Sequence, residues 1–440
     1  MQRDAIDYLL AWKQTKNRKP LIIRGARQVG KTWLMRFFGK AYYQQVAYLN
    51  FESNPALKEL FSQDFDTHRL LLGIEIASGV HIDPSTTLLI FDEIQAVPKA
   101  ITSLKYFQEN LPDYHIICAG SLLGVALHEN TSFPVGKVAF LDLYPLSFPE
   151  FLNALGESRL AEVLQKKDWP LVQSFKDSYT NLLRLYYFTG GMPEAVACYA
   201  TTKNLNEVRK IQQAILTAYE QDFSKHAPPS IVPRIRMIWN AIPAQLAKEN
   251  KKFIYGLIRK GARAKDFEVA LAWLKDCGLI YQIHQVSKPH IPLKAYEAFN
   301  VFKVYMVDVG LLGAMVNLNQ KVVLEKNTIF KEFKGALSEQ YVLQQLKTFT
   351  NLPIYYWSAD NARAEVDFTI QVAGEVIPIE VKAEENLQAK SLRVYAEKFK
   401  PKTILRVSMA NYREEDWMQN IPLYALPFYL LDTIGQDMKE

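Results

Sequence analysis

Cysteine is scarce in this chain. Cys118, Cys198 and Cys277 are its three cysteines in 440 residues. They lie far apart and form no C-x-x-C pair, so neither a disulfide framework nor a cysteine-based zinc site is expected. The seven histidines are scattered too, which leaves carboxylates and phosphates as candidate metal ligands and magnesium as the metal they favour. No segment approaches the roughly 20 uncharged apolar residues that cross a bilayer. The start, Met1 to Asp7, has no apolar signal region. A cytoplasmic protein with no membrane partner is therefore expected. Charge of one sign is also lacking: 52 Lys and Arg against 46 Asp and Glu give a net charge of +6. That mild excess permits a nucleic-acid partner such as DNA without demanding one.

What the chain does have is length and apolar content. With 49% hydrophobic residues over 440 positions, it exceeds a single ordinary core and suggests about three domains. Its most specific segment is Gly25-Ala26-Arg27-Gln28-Val29-Gly30-Lys31-Thr32, which fills every fixed position of the phosphate-binding pattern G-x-x-x-x-G-K-[ST]. The apolar run Pro20 to Ile23 before it reads as a buried parallel strand. Trp33 to Phe38 after it begins a helix whose free N–H groups and dipole favour phosphate. Gly25 and Gly30 let the backbone wrap the phosphates, Lys31 brings a point charge, and Thr32 offers a hydroxyl to magnesium.

A second strand is expected at Val46 to Phe51 and a third at Thr87 to Phe91, which runs into Asp92-Glu93. This places Asp92 at the carboxyl edge of a parallel sheet, where it can hold magnesium through water, and Glu93 where it can activate an attacking water. A fourth strand, His115 to Gly120, ends at Ser121. That residue either senses the outer phosphate or makes a strand-to-helix turn.

These residues resemble the AAA-type ATPases of bacteria and archaea whose loop reads G-A-R-Q-V-G-K-[TS]. The resemblance rests on Gly25 to Thr32, Phe91 to Gln95, Ala119 to Ser121 and Leu143 to Leu152, and extends over nearly the whole chain. It implies ATP and Mg2+ as cofactors, ATP/ADP as ligands, a phosphate loop formed by Gly25 to Thr32 with Trp33, and a homo-oligomer that takes an arginine from the neighbouring subunit. Where the family often has Gly-Arg this chain has Gly136-Lys137, and lysine cannot reproduce arginine's planar fork. Arg69, Arg184 and Lys137 are the candidates. Tyr187 to Glu194 resembles the G-x-P turn that related ATPases place against the nucleotide base, with Gly191 and Pro193 matching; an ordinary helix-to-helix turn is the other reading.

From Ser230 to about Val286 the pattern is helical, with Phe267, Ala270, Leu271 and Leu274 at i, i+3, i+4 and i+7. Gly278 stops that helix. A strand at Leu279 to Ile283 and a basic loop at Ser287 to Lys294 follow, and the whole looks like a winged helix. Its exposed helix face, with Lys265, Asp266, Glu268 and Lys275, is mixed in charge, so DNA or protein contact both fit.

In the last third, a helix at Lys331 to Leu346, strands at Ile354 to Trp357, Glu365 to Gln371 and Val376 to Lys382, a helix at Leu387 to Phe399 and a strand at Thr403 to Val407 give the order αβββαβ. That order resembles the PD-(D/E)xK nuclease fold. Alternation along the strands puts Glu365 and Asp367 on one face and brings Glu380 beside Lys382. Glu339 points with the buried stripe Val342, Leu343 and Leu346. Asp367 and Glu380, with Glu339, are the candidate ligands of a second Mg2+ or Mn2+, and Lys382 the residue that positions a nucleophile. A structural salt-bridge cluster is the alternative.

The expected fold is thus α/β: a P-loop AAA-type core at residues 1–155, a helical lid at 156–228, a winged-helix-like domain at 229–300 and a nuclease-like domain at 301–440. Two functions follow. One is an ATPase coupled to nucleic-acid binding or metal-dependent DNA cleavage. The other is a nucleotide-controlled regulatory switch whose nuclease-like domain is inactive and binds DNA or protein.

Overall fold

The computed structural model describes residues 1–120, 133–248, 251–324, 331–349, 351–359, 364–372, 374–385 and 389–435. It divides into two compact units. One comprises Gln2–Tyr144 with Asp276–Leu279, the other Pro145–Lys275 with Ile280–Glu440.

The Gln2–Tyr144 unit is built on five parallel strands: β1 (Leu21–Arg24), β2 (Gln45–Asn50), β3 (Thr87–Asp92), β4 (His115–Ala119) and β5 (Ala139–Asp142), in the order β2-β3-β4-β1-β5. Every residue of β3 and β4 is buried. Apolar side chains on both faces suit a parallel sheet covered by helices on both sides. The register sets Asn50 beside Asp92 and Asp92 beside Ala119. The carboxyl ends of β2, β3 and β4 therefore form one edge. One face of the sheet packs Leu49, Phe51, Leu89 and Phe91 against Phe61, Leu104 and Phe107. Phe51 and Phe91 meet edge-on with ring centroids 5.4 Å apart, a favourable arrangement of ring quadrupoles.

The second unit begins with the helix Phe148–Ala154, started by a reciprocal capping box between Ser147 and Glu150. Long helices follow, among them Lys176–Thr189, Leu205–His226 and Val232–Leu246. The helix Ala264–Asp276 buries Phe267, Ala270, Leu271 and Leu274 as its periodicity predicts, and Gly278, with φ of 71°, follows its end.

An eight-stranded mixed sheet completes this unit, in the order β12-β13-β11-β10-β9-β8-β6-β7. The strands are β6 (Ile280–Val286), β7 (Glu297–Met306), β8 (Ile354–Ser358), β9 (Glu365–Val372), β10 (Glu375–Val381), β11 (Leu405–Ser408), β12 (Arg413–Glu415) and β13 (Met418–Pro422). With the helices Lys331–Lys347 and Lys390–Phe399, the αβββαβ order is present. The β6–β7 hairpin is not a free-standing wing, because β6 pairs in parallel with β8 and extends the same sheet. Residues 300 and 301 both lie inside β7. The two compact units divide between Tyr144 and Pro145.

Candidate functional site

In the first unit the sequence signals converge on the carboxyl edge of the parallel sheet. The loop after β1 turns through Gly25 with φ of 144°, Gln28 with φ of 67° and Gly30 with φ of 94°. A Cβ at Gly25 would sit 2.2 Å from the Leu143 carbonyl oxygen, so only glycine fits there. Gly30 is the N-cap of the helix Lys31–Tyr42, which aims unpaired backbone N–H groups into the loop. Ala26 and Val29 are buried beneath the loop, Arg27 is half-buried, and Gln28 and Trp33 are exposed. Trp33 stacks on Phe37 with centroids 5.0 Å apart.

The Lys31 ammonium is folded into the loop and donates to the carbonyls of Gly25 and Ala26, each at 2.8 Å. Burial lowers its pKa to about 8, against the opposing pull of Glu93 and Asp92. Thr32 Oγ1 donates to Asp92 Oδ2 at 2.8 Å, which joins the phosphate loop to the end of β3. Asp92 is 3% exposed. Glu93 has φ of 52°, an uncommon conformation for a glutamate, and its Oε2 accepts from Gln95 Nε2 at 2.6 Å.

Three contributors were not anticipated. Tyr48 donates its hydroxyl to the same Asp92 Oδ2 at 2.8 Å, and the Arg36 guanidinium lies 4.6 Å from its ring centroid. Gln95 holds Glu93. Buried Arg3 donates to the carbonyls of Val29 at 3.1 Å and Tyr144 at 2.7 Å, bracing the loop from 26 residues upstream. The alternation of β2 hints at Tyr48, since it shares a face with Asn50 and Val46; nothing local marks Arg3.

Among the finger candidates, Lys137 pairs with Glu109 at 2.9 Å, Arg69 with Asp64 at 2.7 Å, and Arg184 donates to the Leu324 carbonyl at 3.4 Å. Ser121 lies outside the described residues. Pro193 begins the helix Pro193–Thr202 in the second unit. The preceding turn is locked there: Gly191 N–H donates to Asp308 Oδ2 at 2.6 Å, and the Leu146 N–H donates to the Gly191 carbonyl at 2.7 Å.

The C-terminal carboxylates do come together, but in the company of lysines. Glu339 Oε1 is paired with Lys251 and its Oε2 accepts from Tyr305 at 3.2 Å. Asp367 Oδ2 accepts from the Val381 N–H at 2.8 Å. Glu380 Oε1 pairs with Lys382 at 2.7 Å, and Glu365 with buried Lys303 at 2.5 Å. Burial, then the neighbouring Glu339 and Glu380, push the Asp367 carboxyl well above the usual range. Burial would raise Glu339 as well, but Lys251 and Lys303 hold it below its ordinary value. Among the described residues no group of three or more His, Cys, Asp or Glu side chains is arranged to hold a metal ion. The donor set does not fit the expected second magnesium as folded, because lysines take Glu339 Oε1 and Glu380 Oε1 and a backbone N–H takes Asp367 Oδ2. Lys251 and Lys303 were not anticipated; both are remote in sequence from the carboxylates they serve.

Three family models match the chain. Residues 17–152 match the AAA domain, residues 180–322 a domain of unknown function, DUF8612, and residues 334–426 another, DUF4143. An uncharacterized protein of Mycobacterium tuberculosis and one of Mycobacterium bovis are each 23% identical over 392 residues, spanning 87% of this chain and 74% of theirs. Among solved structures, the chain is similar to a Walker-type ATPase of Pyrococcus abyssi (15% identity, TM-score 0.45, 72% of this chain and 95% of that one). It is also similar to the Aeropyrum pernix ORC1 protein in complex with DNA (12% identity, TM-score 0.28, 71% and 90%). No helix among the described residues is long and apolar enough to cross a membrane. The match to the AAA domain over residues 17–152 takes in the phosphate loop and the strand that ends in Asp92.

Proposed function

We infer that the chain hydrolyses ATP and works as a nucleotide-controlled switch whose C-terminal domain engages DNA or protein without cutting it. The observation that carries the ATPase half is the 2.8 Å bond from Thr32 Oγ1 to Asp92 Oδ2. It brings a hydroxyl and a carboxylate to one point at the mouth of a phosphate loop, the donor set a magnesium nucleotide needs. In this reading Lys31 exchanges its two carbonyl partners for the outer phosphates. Thr32 and Asp92 would hold magnesium, which would neutralise charge on the transferred phosphoryl group. Glu93 orients the attacking water, and Gln95 restrains Glu93 until the site is filled. Ser121 and Pro193 are proposed as sensors of the outer phosphate and the base. A partner subunit's cation would complete the site.

The switch half rests on the lysine-filled cluster, since a working metal centre needs open carboxylate oxygens. Metal-dependent DNA cleavage, with Asp367, Glu380 and Lys382 as its residues, keeps one observation in its favour: Glu380 Oε2 is buried with no hydrogen-bond partner. The two part in one experiment, which incubates single-stranded, duplex and branched DNA with Mg2+ or Mn2+ and ATP. The switch reading expects ATP turnover with intact DNA. Cleavage that disappears in Lys382→Ala would replace it with the nuclease reading.

A further inference from the structure

The carboxylates around Glu339 form one electrostatic cluster with three lysines, drawn from distant parts of the chain. Glu339 lies on the helix Lys331–Lys347, Asp367 and Glu365 on β9, and Glu380 on β10. Lys303 lies on β7, Lys382 just after β10, and Lys251 on the segment before the short helix Tyr255–Ile258. The side chains of Lys251 and Glu339 are only 9% and 10% exposed. A charge so placed is costly unless compensated, and Lys251 compensates Glu339 while Tyr305 takes its other oxygen.

Lys251 is also held in place. The Phe253 N–H donates to the Phe302 carbonyl at 2.8 Å. Gln245 clasps Ile254 through both ends of its amide, accepting from the N–H at 3.0 Å and donating to the carbonyl at 2.9 Å. The segment is thereby fastened to β7 and to the helix Val232–Leu246, and its ammonium is delivered to Glu339. Glu339, Glu365 and Glu380 each pair with one of the three ammonium groups and Asp367 takes the Val381 N–H, while Glu380 Oε2, on a side chain that is 5% exposed, is buried with no hydrogen-bond partner among the described residues.

We propose that Lys251 is an internal cation standing where a divalent metal would bind, and that it keeps the Glu339, Asp367 and Glu380 carboxylates closed to metal. This rests on the reading that the C-terminal sheet has no working metal centre as folded, and it adds the residue responsible. Lys251 and a divalent ion would satisfy the same oxygens, so they exclude each other. Removing the ammonium leaves Glu339 with Lys303 alone to offset its charge, within electrostatic reach of Glu380 and its orphan oxygen. A divalent cation is the species that repairs both.

The test uses the full, nucleotide-free chain and Mn2+ as the probe, counting bound ions from the loss of free-Mn2+ electron paramagnetic resonance signal. Lys251→Met is expected to bind one more Mn2+ per chain than the unaltered protein, and its lowered thermal midpoint is expected to rise with Mn2+. Both gains should vanish in Lys251→Met/Glu380→Gln. If Lys251→Met does not fold in EDTA, Mn2+-dependent refolding replaces the midpoint as the readout, and failure to refold with or without Mn2+ overturns the proposal. Equal Mn2+ binding by variant and unaltered protein overturns it, as does an extra ion that persists in the double variant. ATP turnover by Lys251→Met, measured in parallel, reports on the ATPase separately, so its loss would not be mistaken for the loss of the metal effect.

Discussion

Lys31 offers a prediction that ties burial to nucleotide binding. Without nucleotide, its ammonium is enclosed by the loop, and burial lowers its pKa from 10.5 to about 8. Phosphates beside it would restore a strong counter-charge and favour the protonated form. Nucleotide binding should therefore draw in a proton wherever the free protein has already lost it. With a pKa of about 8, roughly nine-tenths of the side chains are neutral at pH 9 and about a quarter at pH 7.5. Binding of a non-hydrolysable ATP analogue should then take up about 0.9 proton at pH 9 and about 0.2 at pH 7.5. Affinity should fall about eightfold between those two values, or roughly 1.2 kcal/mol. Isothermal titration calorimetry in buffers of different ionisation heat measures both quantities. A proton uptake near zero at pH 9, together with unchanged affinity, would refute the claim that a buried ammonium is handed from the loop carbonyls to the phosphates. The Lys31→Met protein should show no uptake in any residual binding.

The same depressed pKa has a stability consequence: the cost of burying the charge is fully present below pH 8 and is relieved as pH rises toward 10.5. The folded protein releases this proton before the unfolded chain does, so the unaltered protein should gain on Lys31→Met by about 1.4 kcal/mol per pH unit across that window and not below it; parallel lines in thermal unfolding against pH would contradict this. Tyr48→Phe removes one of two hydroxyl donors from Asp92 Oδ2 and should raise the Mg2+ concentration for half-maximal turnover about fivefold, an effect absent if kcat alone changes. Gly190→Ala places a Cβ 2.1 Å from Asp308 Oδ1 at φ of 70° and should cost about 3 kcal/mol of stability; urea unfolding of the variant at unaltered midpoint would show that this turn yields.

The phosphate loop and the strand ending in Asp92 were legible because their information is local. A glycine-bounded turn between an apolar strand and a helix, and an apolar run closed by two acids, each declare themselves within a few residues. Tyr48 and Arg3 reach the site from elsewhere in the chain; the alternation of β2 only hints at Tyr48, and no short-range pattern marks Arg3. The helix Lys331–Lys347 holds contacts that no hydrophobic pattern marks. Gln340, Gln344 and Gln345 are buried. Their amides satisfy backbone groups of other elements, with Gln340 accepting from Met306, Gln344 from Val309 and Gln345 from Phe148. Gln344 also donates to Tyr186 and Asp308. Such a helix is buried all round, which polar residues conceal from a pattern based on hydrophobicity.

The C-terminal order was read from alternation, and Glu365, Asp367, Glu380 and Lys382 lie where alternation sets them. Which cations neutralise them was not legible, since Lys251 and Lys303 arrive from the middle of the chain. The strand read at Leu279 to Ile283 overlaps β6, and its parallel pairing with β8 in the larger sheet was not legible locally for a related reason.

The central claim is that Lys31, Thr32, Asp92 and Glu93 form a working ATPase site. Its most direct test is phosphate release from ATP by the unaltered chain, by Lys31→Ala and by Glu93→Gln, with analogue binding measured on each. Turnover at the full rate is expected in the unaltered chain alone, with binding lost in Lys31→Ala and kept in Glu93→Gln, whose turnover falls about a hundredfold or more. Turnover by Lys31→Ala at the unaltered rate would contradict it.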